Sequence, residues 1–147
     1  MIIDSHAHIF SSLSGFGADG ELKPLDNGKA VWSNGEVIQL LPPNYDKTEF
    51  PIASLLSLMD DNNIDKAVLL QGGFLGFDNY GVYEAVKAHG DRITGAFTVD
   101  PFCRNADKIL SCLLSKDIDA FKFEVSTGCG LMGIHHTFPL DGDMMYS

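Results

Sequence analysis

The chain has 147 residues, with 10 Lys+Arg against 20 Asp+Glu and a formal net charge of −10. A hydrophobic fraction of 45% with 20% charged residues excludes a disordered or collagen-like chain, and the length allows one domain with a real core. The acidic balance argues against nucleic-acid and anionic-membrane partners, and no apolar run approaches the roughly 20 residues of a membrane span.

The opening Met1-Ile2-Ile3-Asp4 and the following Ser5-His6-Ala7-His8 predict a short buried strand with polar residues at its C-terminal end. A Gly- and Ser-rich loop follows from Ser11 to Gly28. A β-hairpin is expected over about 29–41, because Asn34-Gly35 stands between two apolar runs and favours a tight turn. Pro51 suits the first turn of a helix in which Ile52, Leu55, Leu56 and Met59 recur at helical spacing. Next come a strand at Lys66–Leu70, a Gly-rich loop at 72–77, and a helix over Tyr80–His89 stopped by Gly90. A third strand covers Ile93–Val99, a third helix carries Ala106, Ile109, Leu110 and Leu113, and a fourth strand covers Ala120–Val125. A fourth helix is expected to begin at Asp141. Strands alternating with helices of about ten residues imply βαβ units and a parallel sheet.

His6 and His8 are the sharpest feature. Residues two apart in a strand share a face, so both imidazoles project together while Ala7 points away. Neutral imidazoles suit Zn²⁺ and neighbouring metals. Asp4 shares that face one step deeper, where a carboxylate would hydrogen-bond a ligand imidazole from behind and fix its tautomer. Chemistry in parallel α/β folds sits at the carboxyl ends of strands, where this pair falls.

Asp4-Ser5-His6-Ala7-His8 resembles the DxHxH motif that opens the amidohydrolase-related family, in its amidohydrolase-2 branch. Val37–Pro43, Lys66–Gln71, Thr98-Val99-Asp100-Pro101 and Phe121–Glu124 follow in a family-like order. The resemblance implies a metal-dependent hydrolase or decarboxylase on a (β/α)₈ barrel, acting on a small-molecule substrate. It further implies a divalent cation, Zn²⁺ first with Mn²⁺ or Mg²⁺ as alternatives, and later ligands from the fifth, sixth and eighth strands. Such a barrel takes about 250 residues. The expected fold class is therefore α/β, the N-terminal half of a TIM-like barrel with about four strands and a hairpin inserted after the first.

Lys122 and Glu124 share one face of the fourth strand. In two-metal relatives a lysine there is carboxylated and bridges the ions, which makes Glu124 a candidate third ligand or acid/base; the plainer reading is an interior ion pair. His135 and His136 read as a solvated loop, and His89 as a helix-end cation favoured by the dipole. Gly128-Cys129-Gly130-Leu131-Met132-Gly133 matches GxGxxG, but lacks the helix that should open at once and the acidic residue about 20 positions on. Cys103, Cys112 and Cys129 are odd in number without a CxxC pair, as expected of reduced thiols in a cytoplasmic protein, and Cys129 reads as the most exposed. Two alternatives stand beside the hydrolase. One is an inactive half-barrel that pairs with a second copy through open edges bearing residues such as Met144 and Met145. The other is a flavodoxin-like nucleotide binder using the Gly72–Gly76 or Gly128–Gly133 loops.

Overall fold

The computed structural model describes residues 1–137 and 141–143. Its elements run in the order β1 (Ile3–Ala7), β2 (Phe16–Gly17), β3 (Gly20–Pro24), β4 (Lys29–Trp32), β5 (Val37–Gln39) and α1 (Ile52–Asp61). They continue with β6 (Lys66–Leu70), a 3₁₀ turn (Gly73–Leu75), α2 (Asn79–His89), β7 (Ile93–Ala96), α3 (Ala106–Leu114) and α4 (Leu131–Ile134). The helix expected from Asp141, with Met144 and Met145, falls mostly outside the described residues.

A mixed α/β architecture results, with two separate sheets. A three-stranded parallel sheet has the order β1-β6-β7, with Ile3 opposite Lys66, Ala7 opposite Leu69, and Leu69 opposite Gly95. Helices α1 and α2 make the crossovers. Pro51 caps α1 with extended backbone, and Asn63 takes a left-handed φ of 55° just past its end. Asp78 starts α2 by accepting from the Gly81 backbone N–H at 2.9 Å. Ala7, Ile9, Leu55, Met59, Leu69, Val82, Ile93 and Phe97 fill the space between sheet and helices. Burying each large apolar side chain there contributes about 1.5–3 kcal/mol.

The second sheet corrects the expected hairpin. β4 and β5 pair as predicted, with Val31 opposite Val37, but β2 and β3 extend them to a four-stranded antiparallel sheet. The Ser11–Gly28 segment is therefore not simply a loop: Leu22 is fully buried with Ala30 and Trp32, and its N–H donates to the Gly15 carbonyl. In the turn only Gly35 takes a positive φ, 91°, while Asn34 accepts from the Glu36 N–H at 2.9 Å.

Two strand expectations are also corrected. β1 begins at Ile3 and is the edge of its sheet, so Ile2 and Ile3 stay about half exposed, at 55% and 49%. The fourth strand reduces to one parallel bridge between Phe97 and Phe121. Phe97 donates to the Ala120 carbonyl and accepts from Lys122 N–H, but the Glu124 carbonyl is taken by the Leu131 N–H at 2.7 Å. That bond turns the chain toward α4 before a ladder can extend. The structure thus holds three parallel strands and a bridge where about four strands were expected, and a full barrel is not seen among the described residues.

Candidate functional site

The C-terminal ends of β1 and β6 meet the Phe121–Glu124 segment around a cavity of about 560 Å³. His6, His8, Lys122 and Glu124 line its polar end, and Phe10, Leu13, Leu40, Leu41, Phe74 and Leu75 supply apolar wall. That wall joins three parts of the chain: the residues after β1, the exit from β5, and the 3₁₀ turn after β6. The antiparallel sheet therefore bears on the site, because β5 delivers Leu40 and Leu41 to it.

The two imidazoles share this face despite an irregularity in the β1–β6 register between Asp4 and Ala7. Their ring centres are 4.9 Å apart, with planes inclined by 66°. Ala7 between them is buried on the other side. His6 is exposed and His8 half-buried. Burial, then the neighbouring charges of His6 and Lys122, hold the His8 pKa below the ordinary 6.5. His8 is therefore neutral near neutral pH, the state in which imidazole has a lone pair to give.

Asp4, expected to fix a histidine ring, makes its hydrogen bond elsewhere: it accepts from the His6 backbone N–H at 3.0 Å. It orders the strand rather than the ring. Buried Gln71, which sequence reading passed over, lies directly after β6 and donates to the Ile9 carbonyl at 2.6 Å. Its one cue in the sequence is a polar residue closing an apolar strand, which many loops share.

Lys122 and Glu124 do face the cavity, and they form an ion pair of 3.5 Å. Glu124 also accepts from Ser126 Oγ at 3.0 Å. Gly72 makes room for them: a Cβ there would stand 2.6 Å from Glu124 Oε2 and 3.3 Å from Lys122 Nζ. Phe123 lines the cavity as well, because the segment is not a regular strand with alternating faces.

The remaining candidates lie apart from this cluster. His135 is not a solvated loop residue: its Nε2 sits 2.9 Å from both Asp100 carboxylate oxygens, whereas His136 is exposed. The GxGxxG run does open a helical turn, but of four residues only. Two of its three glycines answer to packing, since a Cβ at Gly133 would meet the Gly128 carbonyl oxygen at 2.1 Å, and one at Gly130 the Ser126 nitrogen at 2.5 Å, whereas one at Gly128 would meet nothing within 4 Å. Cys129 is partly buried and Cys112 is the exposed thiol, the reverse of expectation. Burial first, then Glu124 and Asp19, push the Cys129 thiol up to about 11.

Two imidazoles sharing one ion at metal–nitrogen distances of about 2.0–2.1 Å hold their ring centres roughly 5 Å apart, so the observed spacing fits a pair of ligands. No group of three or more His, Cys, Asp or Glu that could hold a metal occurs among the described residues. A catalytic zinc site takes about three protein ligands, and this face brings two imidazoles together. No helix among the described residues is long and apolar enough to cross a membrane.

No family model matches the chain, and no curated protein matches it. Among solved structures it is similar to a probable 2-pyrone-4,6-dicarboxylic acid hydrolase from Acinetobacter baumannii with citric acid bound, at 24% identity and a TM-score of 0.46. The match covers 80% of this chain and 35% of that one, so the chain spans about a third of that protein's length.

Proposed function

We propose that this chain carries the histidine-pair part of a metal-dependent hydrolytic site of the amidohydrolase-related kind. The observation that carries the reading is the His6/His8 pair, 4.9 Å between ring centres, at one end of a cavity shared with Lys122 and Glu124. His6 and His8 are the residues that would hold the cation, Zn²⁺ first and Mn²⁺ or Mg²⁺ as alternatives. When bound there, a divalent cation supplies Lewis acidity, polarising a carbonyl and making water more acidic.

The chain's own groups do the rest. The apolar wall takes the body of a small amide, ester or lactone and excludes water from it. Lys122 keeps positive charge beside the histidines, which favours neutral His8. Glu124, held by Lys122 and Ser126, is the carboxylate placed to take and return a proton at the polar end. Asp4 steadies the backbone where the chain enters His6.

Metal analysis of the purified protein after zinc loading and desalting tests this. Wild type is expected to retain zinc, and a His6→Ala/His8→Ala variant to lose it. Equal retention by the double variant overturns the assignment.

A further inference from the structure

We propose that Gln71 is a positioning residue for His8: its side-chain carbonyl accepts the proton of the buried Nδ1, so that the ring presents Nε2 to the cavity. The importance of that orientation for a metal rests on the function proposed above, but the orientation itself does not.

Gln71 is fully buried at the end of β6. Its Oε1 and the Nδ1 of His8 are the two buried side-chain polar atoms that lack a hydrogen-bond partner among the described residues. Their chemistry is complementary, since an amide oxygen only accepts and an imidazole nitrogen can donate. The orientation of the amide is forced. Its nitrogen donates to the Ile9 carbonyl at 2.6 Å, and turning it over would set two carbonyl oxygens against each other. Oε1 is thereby left free for another donor. The register that places Ala7 opposite Leu69 brings His8 alongside the Leu70–Gln71 corner. The groups there that favour a protonated His8 ring are the Gln71 side chain and the Leu70 backbone. A buried nitrogen facing acceptors holds its proton on that side and leaves the lone pair on the other nitrogen.

An amide suits this task better than a carboxylate would. It selects the tautomer without adding the negative charge that would stabilise the imidazolium. The same side chain anchors the Ile9 carbonyl, so the ring and the backbone just beyond it are fixed together.

Two-bond ¹H–¹⁵N correlation spectra of histidine-labelled, metal-free protein above pH 7.5 read the tautomer directly. Wild-type His8 is expected to show a protonated Nδ1 and an unprotonated Nε2. Gln71→Met, which keeps length and removes the acceptor, is expected to lose that pattern and to weaken zinc binding about ten- to a hundredfold. Gln71→Glu keeps an acceptor for Nδ1 but loses the donor to the Ile9 carbonyl and adds charge, so it is expected to keep Nδ1 protonated at some cost in stability. An unprotonated Nδ1 in wild type overturns the proposal, as does a pattern unchanged in Gln71→Met, which would assign the proton to the Leu70 carbonyl. If Gln71→Met does not fold, the wild-type and Gln71→Glu spectra decide. A Gln71-dependent Nδ1–H pattern in a protein that binds no zinc upholds the positioning role and overturns the metal reading instead.

Discussion

His135 Nε2 stands 2.9 Å from each carboxylate oxygen of Asp100, tying the end of α4 to the turn after β7. Asp100 Oδ1 also accepts from the Phe102 N–H at 2.9 Å, and the Phe102 ring centre lies 4.6 Å from that of His135. Both members of the pair are largely shielded, with side-chain exposures of 27% and 16%. Hydrogen bonds involving a charged group contribute about 1.5–3 kcal/mol in such settings. Asp100→Asn and His135→Ala are each expected to destabilise the chain by about 1–3 kcal/mol in urea unfolding. The double variant should cost less than the sum, since both remove one interaction. Full additivity would show that the two residues act independently.

Cys129 and Cys112 should differ sharply toward thiol reagents. The thiolate is the reacting form, and a pKa of about 11 leaves Cys129 almost wholly protonated at pH 8. Cys112 is exposed on α3. Cys129 is expected to react about a hundredfold more slowly than an ordinary exposed thiol. Mass-spectrometric timing of alkylation site by site measures this. Labelling of Cys129 ahead of Cys112 would contradict both its burial and its raised pKa.

Local signals carried the frame of the fold. The Leu55/Met59 spacing, Pro51 and Asn62-Asn63 marked α1 almost to the residue, and the apolar run at Lys66–Leu70 marked β6. His6 and His8 were legible as one face because strand period alone puts them together. Features that depend on distant partners were not legible. β2 and β3 are strands through pairing with each other and with β4, and nothing within Ser11–Gly28 announces that. The fourth strand failed for the converse reason: its sequence alternates, yet a backbone bond from Leu131 claims the Glu124 carbonyl. Gln71 matters only because Ile9 and His8 lie beside it.

Acid should destabilise the metal-free protein partly through His8. Its folded pKa lies below the ordinary 6.5, so the unfolded chain takes up the proton first as pH falls. The stability associated with neutral, buried His8 is fully present above 6.5 and is lost as pH drops from there toward the folded value, at no more than about 1.4 kcal/mol per pH unit for one proton. Urea unfolding at pH 7.5 and pH 5.5, with chelator present, compares wild type with His8→Asn. The variant is expected to show the smaller acid loss. An equal loss in both would place the titrating group elsewhere.

Gly72 separates the geometry of the site from the stability of the fold. Its φ of −163° is ordinary extended backbone, so any residue can adopt it, and what an alanine meets there is the Glu124 carboxylate at 2.6 Å. That atom ends a flexible side chain, 31% exposed, that can swing away toward solvent. Gly72→Ala is therefore expected to cost less than about 1 kcal/mol in stability. The displaced carboxylate leaves Lys122 and, on the role proposed for Glu124, loses the position from which it would transfer a proton, so on that proposal hydrolysis of a small ester or lactone is expected to fall at least about tenfold, as in Glu124→Gln. Matched thermal unfolding and turnover measurements on both variants check this. Unchanged turnover in Gly72→Ala and Glu124→Gln would remove Glu124 from the chemistry while leaving the histidine pair to be judged by its metal.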